Sequence, residues 1–144
     1  GSRDGVIHND LNPGWFPSAP RGDEIVIPRG ECCNYRSGAC ATNVTPLEAV
    51  RGVAIIYYLN NGEWSPGDGG ETGLYRDARV ASAHCVVAVP PLNNSLLAFE
   101  CTPRSFHAFR SNHRSARNSV IVWLHREKTT VVSRWGHGAI VPWQ

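Results

Sequence analysis

The stretch Arg51–Asn60, RGVAIIYYLN, decides the fold. It is rich in β-branched and aromatic residues, contains no proline, and runs into the turn-forming Asn60-Asn61-Gly62. That composition reads as a strand ending in a turn. Similar runs follow it: GGETGLY, HCVVAVPP, NSLLAFE, SFHAFRSN, RNSVIVWLH and TTVVSRW, each bounded by Gly, Pro, Asn, Asp or Ser. Many short strands at short spacing predict a mainly all-β sandwich or barrel with little helix. The one helical signal is TPLEAV, where Thr45 and Glu48 stand at capping-box spacing.

Ahead of Arg51 the pattern is different. NPGWFPSAPRGD, IPRG and YRSGACATN are turn clusters around one short apolar run, EIVI. Residues 11–50 therefore read as a loop-rich insertion within a single domain spanning residues 1–144. Loops of that length in compact domains tend to carry function, as lids or binding walls. The chain has no Met and starts with Gly1-Ser2, which reads as a cleavage remnant, so an N-terminally truncated domain is expected.

A net charge of +2 without a basic stripe argues against a nucleic-acid partner. No apolar run approaches the roughly 18 residues of a membrane span. The cytoplasm is the favoured compartment, and oligomeric state is not legible. Five cysteines do not make a complete disulfide framework. Cys85 and Cys101 lie in apolar runs and read as buried thiols. Cys32, Cys33 and Cys40 match zinc spacing poorly. A loop disulfide of Cys32 or Cys33 with Cys40 is the alternative, and free thiols are the expectation.

His8 and Asp10, in VIHNDLNPG, are offset by two, so an extended backbone points both to one side. Taken alone, the pair is equally a polar strand end or an Asx-turn. His107 sits between aromatic and small residues in SFHAF. Arg117 shares a strand face with Ser119, Ile121 and Trp123. A guanidinium on an inward face needs an anionic partner, and a carboxylate fits its planar fork. The other reading places Arg117 in solvent.

Taken in order, His8-x-Asp10, RGVAIIYYLN, DGGETGLY, SFHAF and Arg117 resemble the iron(II)- and 2-oxoglutarate-dependent dioxygenases, most closely the prolyl 4-hydroxylase-like branch. The resemblance implies a double-stranded β-helix of jelly-roll type. It implies a metal triad of His8, Asp10 and His107, with positions left open for co-substrate and oxygen. It puts Arg117 and Tyr58 on the distal carboxylate of 2-oxoglutarate, and Arg51 and Trp123 on the substrate side. His8, Asp10, His107 and Arg117 then form the catalytic set. The implied cofactors are Fe(II), 2-oxoglutarate and O2, with ascorbate as an accessory.

The implied function is an oxidoreductase, a hydroxylase acting on an unactivated C–H bond. Its substrate would be peptidyl, prolyl residues being the best-known target, or a small amino-acid-like molecule. Oxidative decarboxylation of 2-oxoglutarate to succinate accompanies the reaction. The alternative is a catalytically incomplete β-barrel serving as a binding or interaction module. The stretch from Leu11 to Val50 separates Asp10 from Arg51, a wider gap than the family pattern. Either that stretch is an insertion, or His8-x-Asp10 is not the clamp.

Overall fold

The structure, a computed structural model, describes residues 2–17, 33–113 and 116–143. The chain separates into two compact units. One contains Gly1–Asp10 and Gly52–Leu124, the other Leu11–Arg51 and His125–Gln144. The chain crosses from one unit to the other within two strands, β2 (Leu47–Tyr58) and β7 (Ser119–Glu127).

In the first unit, Val53–Tyr58 of β2 pairs antiparallel with β5 (Ser95–Glu100), and β7 also pairs with β2. A second sheet has the order β4 (Val87–Val89), β3 (Thr72–Tyr75), β6 (Phe106–Phe109), again antiparallel. The alternation of β2 explains the core. Ala54, Ile56 and Tyr58 are buried on one face while Tyr57 is exposed on the other. From the second sheet Thr72 and His107 face the same interior, Tyr75 and Ala108 are buried on the opposite face, and Cys101 lies buried just after β5. The hydroxyls of Tyr58 and Thr72 meet at 2.7 Å and link the two sheets. The chain is mainly β, with the double-stranded β-helix architecture that the family resemblance implied and that agrees with the strand pattern.

An N-terminal arm lengthens the second sheet. Ser2 N–H donates to Asn112 O at 3.1 Å and Gly5 N–H to Phe109 O at 2.8 Å. His8 and His107 exchange both backbone bonds, at 3.1 and 2.8 Å. Asp4 fastens the arm from its side chain. It accepts the Ser82 hydroxyl at 2.5 Å and the Ser111 N–H at 2.6 Å. The Ser82 and Ser111 bonds hold its carboxyl below the ordinary value of 3.8.

In the second unit, β1 (Pro13–Phe16) pairs antiparallel with Leu47–Val50. One helix, α1 (Lys128–Trp135), buries Val131 completely. Leu11, Ala49 and Val50 complete the apolar centre. Lys128 pairs with Glu48 at 2.5 Å.

Four sequence expectations are corrected here. TPLEAV forms no helical turn. It leads into β2, because pairing with β1 outweighs a local capping signal. TTVVSRW is not a strand but most of α1. The β-branched residues there cost only a few tenths of a kcal/mol each in a helix, and burial of Val131 outweighs that. Cys33 and Cys40 are not free thiols. They are joined by a disulfide closing a hairpin in which Asn34 N–H bonds Ala39 O. Asn34 Oδ1 accepts the N–H groups of Arg36 and Ser37, which turns the chain and sets the two cysteines opposite each other. Cys101 is a buried free thiol as expected, whereas Cys85 is only half-buried, with Arg110 Nη1 3.7 Å from its sulfur. The EIVI run and Cys32 lie outside the described residues. No helix among the described residues is long and apolar enough to cross a membrane.

The Gly69-Gly70 turn leads into β3 and is held against the chain that follows β6. Gly69 has φ +77°, and an added Cβ would collide with the Ser111 carbonyl oxygen, the same oxygen that accepts Gly70 N–H. Gly69→Ala should therefore destabilise the protein by more than about 2 kcal/mol, read as a lowered Tm. An unchanged Tm would mean that the turn is not tight. The arm makes a separate prediction. A depressed folded pKa gives stability above the unfolded value, lost as pH falls below 3.8 through the folded one. The Ser111 amide resonance should move upfield over that range. At neutral pH, Asp4→Asn should speed exchange of the Gly5 and His8 amides severalfold. Unchanged exchange would show that Asp4 does not hold the arm.

Candidate metal centre

The arm brings His8 alongside His107, with ring centroids 4.5 Å apart. The offset of two carries Asp10 to the same side. One ligand atom from each of His8, Asp10 and His107 falls within 4.8 Å of the others. Asp10 Oδ1 lies 3.7 Å from His8 Nε2, and Oδ2 lies 3.6 Å from His107 Nε2. Asp10 is 6% exposed and His107 7%, while His8 is open to solvent.

Both histidines are set in the same way. His107 Nδ1 lies 3.0 Å from Ser105 O, and His8 Nδ1 lies 2.8 Å from Val6 O. A carbonyl oxygen only accepts, so each Nδ1 donates, and Nε2 is the nitrogen of each ring that faces Asp10. Partners of this kind hold metal-binding imidazoles in orientation and tautomer. Two imidazoles and one carboxylate, brought this close, suit a divalent ion that takes nitrogen and oxygen ligands. The residues present therefore fit such an ion.

A second polar group lies in the same unit. Arg117 Nε donates to Gly70 O at 2.6 Å and Nη1 to Ser119 Oγ at 3.2 Å. Its Nη2 reaches Tyr58 Oη at 3.3 Å and Thr72 Oγ1 at 3.2 Å. The guanidinium also lies over the Tyr58 and Phe109 rings. All of these partners are neutral, and among the described residues no carboxylate pairs with Arg117. A part-buried cation among neutral hydroxyls suits a carboxylate ligand. Ser119 and Trp123 are half-buried on the expected face of β7. Ile121, on the same face, is 44% exposed, so solvent reaches this side of the strand.

Trp123 was expected on the substrate side. Its indole N–H donates to Asp10 Oδ2 at 2.7 Å. Arg51 belongs to the second unit, where Nε donates to Tyr35 Oη at 3.3 Å and the guanidinium lies over Trp143. Tyr35 Oη also meets His125 Nε2 at 2.7 Å. His84, His113 and His137 are exposed. Among the described residues, His8, Asp10 and His107 are the one cluster suited to a metal. Thr72 was not singled out from sequence. Its only signal was its place just after the Gly-Gly turn, opening a strand.

The family model described as the 2OG-Fe(II) oxygenase superfamily matches residues 30–125. That span contains Tyr58, His107, Arg117 and Trp123, and starts after His8 and Asp10. Comparison with curated proteins and with solved structures gives no match. The match covers well over half of the chain, and the fold and the His-Asp-His cluster agree with it: the chain belongs to the 2OG-Fe(II) oxygenase superfamily.

Proposed function

We propose that this oxygenase, of the prolyl 4-hydroxylase-like branch, hydroxylates an unactivated C–H bond of a peptidyl or amino-acid-like substrate. The overall change balances as R–H, O2 and 2-oxoglutarate giving R–OH, succinate and carbon dioxide. The convergence of His8, Asp10 and His107 across the length of the chain is the observation that carries the reading.

In this reading His8, Asp10 and His107 hold Fe(II), which, when bound, supplies the activation of oxygen. The protein's own groups do the placing. Asp10 contributes the negative charge that favours a divalent cation. Ser105 O and Val6 O hold the Nδ1 side of each ring and so orient Nε2 toward the metal. Arg117 forms charge-assisted hydrogen bonds to the far carboxylate of 2-oxoglutarate, with the Tyr58 and Thr72 hydroxyls beside it. Gly70 O and Ser119 fix the fork in advance, so little side-chain freedom is lost on binding. The Phe109 ring covers one side of the guanidinium and limits its hydration.

The test is anaerobic binding of Fe(II) and 2-oxoglutarate, followed by succinate measurement after admission of air. Wild-type protein should bind both and release succinate. His107→Ala should lose metal binding. Arg117→Gln should bind metal normally while its 2-oxoglutarate affinity falls about 100-fold. Wild-type protein that binds neither would leave a β-barrel binding module as the better description. Unchanged 2-oxoglutarate affinity in Arg117→Gln would remove Arg117 from the co-substrate site.

A further inference from the structure

Two of the three candidate metal ligands, His8 and Asp10, lie on the N-terminal arm, and the arm buries little. From Ser2 to Asp10 only Asp10 is buried, and Val6 is 80% exposed. Apolar burial therefore does little to hold the arm, and its place depends on hydrogen bonds. Its backbone bonds reach the second sheet at Ser2, Gly5 and His8. Asp4 reaches further. Its Oδ1 accepts the Ser111 N–H, just past β6, and its Oδ2 accepts the hydroxyl of Ser82, in the turn Ser82–His84 that follows β3. Both partners are anchored without it. The Tyr75 hydroxyl donates to Ser82 O at 3.0 Å, and Gly70 N–H donates to Ser111 O at 3.0 Å. One carboxylate thus ties the arm to two separate segments of the sheet's surroundings.

We propose that Asp4 is a positioning residue for the metal centre: by gripping Ser82 and Ser111 it keeps the arm on the sheet and so presents His8 and Asp10 to the ion that His107 shares. The proposal rests on the metal-binding reading above. Asp4 is not a member of the ligand cluster, so it acts through the arm. An ion held by all three residues binds only the docked arm, and its apparent affinity scales with the fraction of molecules in which the arm is docked. Loosening the arm weakens metal binding. By the same coupling a bound ion tightens the arm back to Asp4. A carboxylate also attracts a cation simply by its charge. Asparagine at position 4 separates the two effects, because it is uncharged but keeps one acceptor oxygen.

Zn(II) alone serves as the probe. Its dissociation constant is measured by calorimetry for wild type, Asp4→Ala and Asp4→Asn, and exchange of the Gly5 and His8 amides is followed by NMR with and without the ion. Asp4→Ala should bind about tenfold more weakly than wild type. Its arm amides should exchange faster without Zn(II) and recover their protection at saturation. Asp4→Asn should fall between the other two. Wild-type affinity in Asp4→Ala despite a loosened arm would overturn the proposal. So would Asp4→Asn binding as weakly as Asp4→Ala, which would make the effect one of charge. Wild-type protein that binds no Zn(II) at His8, Asp10 and His107 would overturn the metal reading, and the proposal with it.

Should the variants fail to fold, wild-type protein decides. The Ser111 N–H, held by the Asp4 carboxylate, should exchange severalfold more slowly once Zn(II) is bound. Unchanged exchange at Ser111 with Zn(II) seated on both histidines would contradict the coupling.

Discussion

Two backbone hydrogen bonds carry the site: His8 N–H to His107 O, and His107 N–H to His8 O. They form one hydrogen-bonded pair of an antiparallel ladder, so the two side chains project from the same face of the sheet. Everything at the metal centre follows from that registration. It fixes the ring separation, and the strand period then brings Asp10 into place. A slip of one residue would turn both His8 and Asp10 to the opposite face. The arm resists such a slip through bonds on either side of Asp4, because the Ser82 hydroxyl and the Ser111 amide grip a single carboxylate.

The chemistry of the first unit separates two charges and treats them alike. Asp10 is buried and receives a donor from Trp123. Arg117 is part-buried and donates to a carbonyl and three hydroxyls. Neutral partners orient the Arg117 guanidinium without cancelling its charge, so it retains affinity for an anion arriving from solution. The Tyr58–Thr72 contact joins the sheets beside Arg117, whose Nη2 reaches both hydroxyls.

Tyr58 came only through the family resemblance, whereas strand period made β2 and β7 legible in the sequence, along with the shared face of Arg117 and Trp123. It failed where local signals competed with partners distant in the chain. The capping box at Thr45 is overruled by pairing with β1, and the β-branched residues of α1 by burial of Val131. The Cys33–Cys40 bond depends on a hairpin whose turn is set by the Asn34 side chain, which composition does not reveal. His8 and Asp10 were recognisable only together with His107, since chain distance says nothing about a bridge between residues 8 and 107. The described residues of the gap from Leu11 to Val50 cluster with C-terminal residues in the second unit. Thr72 escaped notice because one threonine has no periodicity to betray it.

The central claim is that the arm delivers His8 and Asp10 to His107, and nitrogen NMR of the histidine side chains during a Zn(II) titration tests it most directly. One equivalent of Zn(II) should shift Nε2 of His8 and His107 together, leave both Nδ1 atoms protonated, and leave His84, His113, His125 and His137 in place. A shift at His107 without one at His8, or a first equivalent bound at any other histidine, would contradict it.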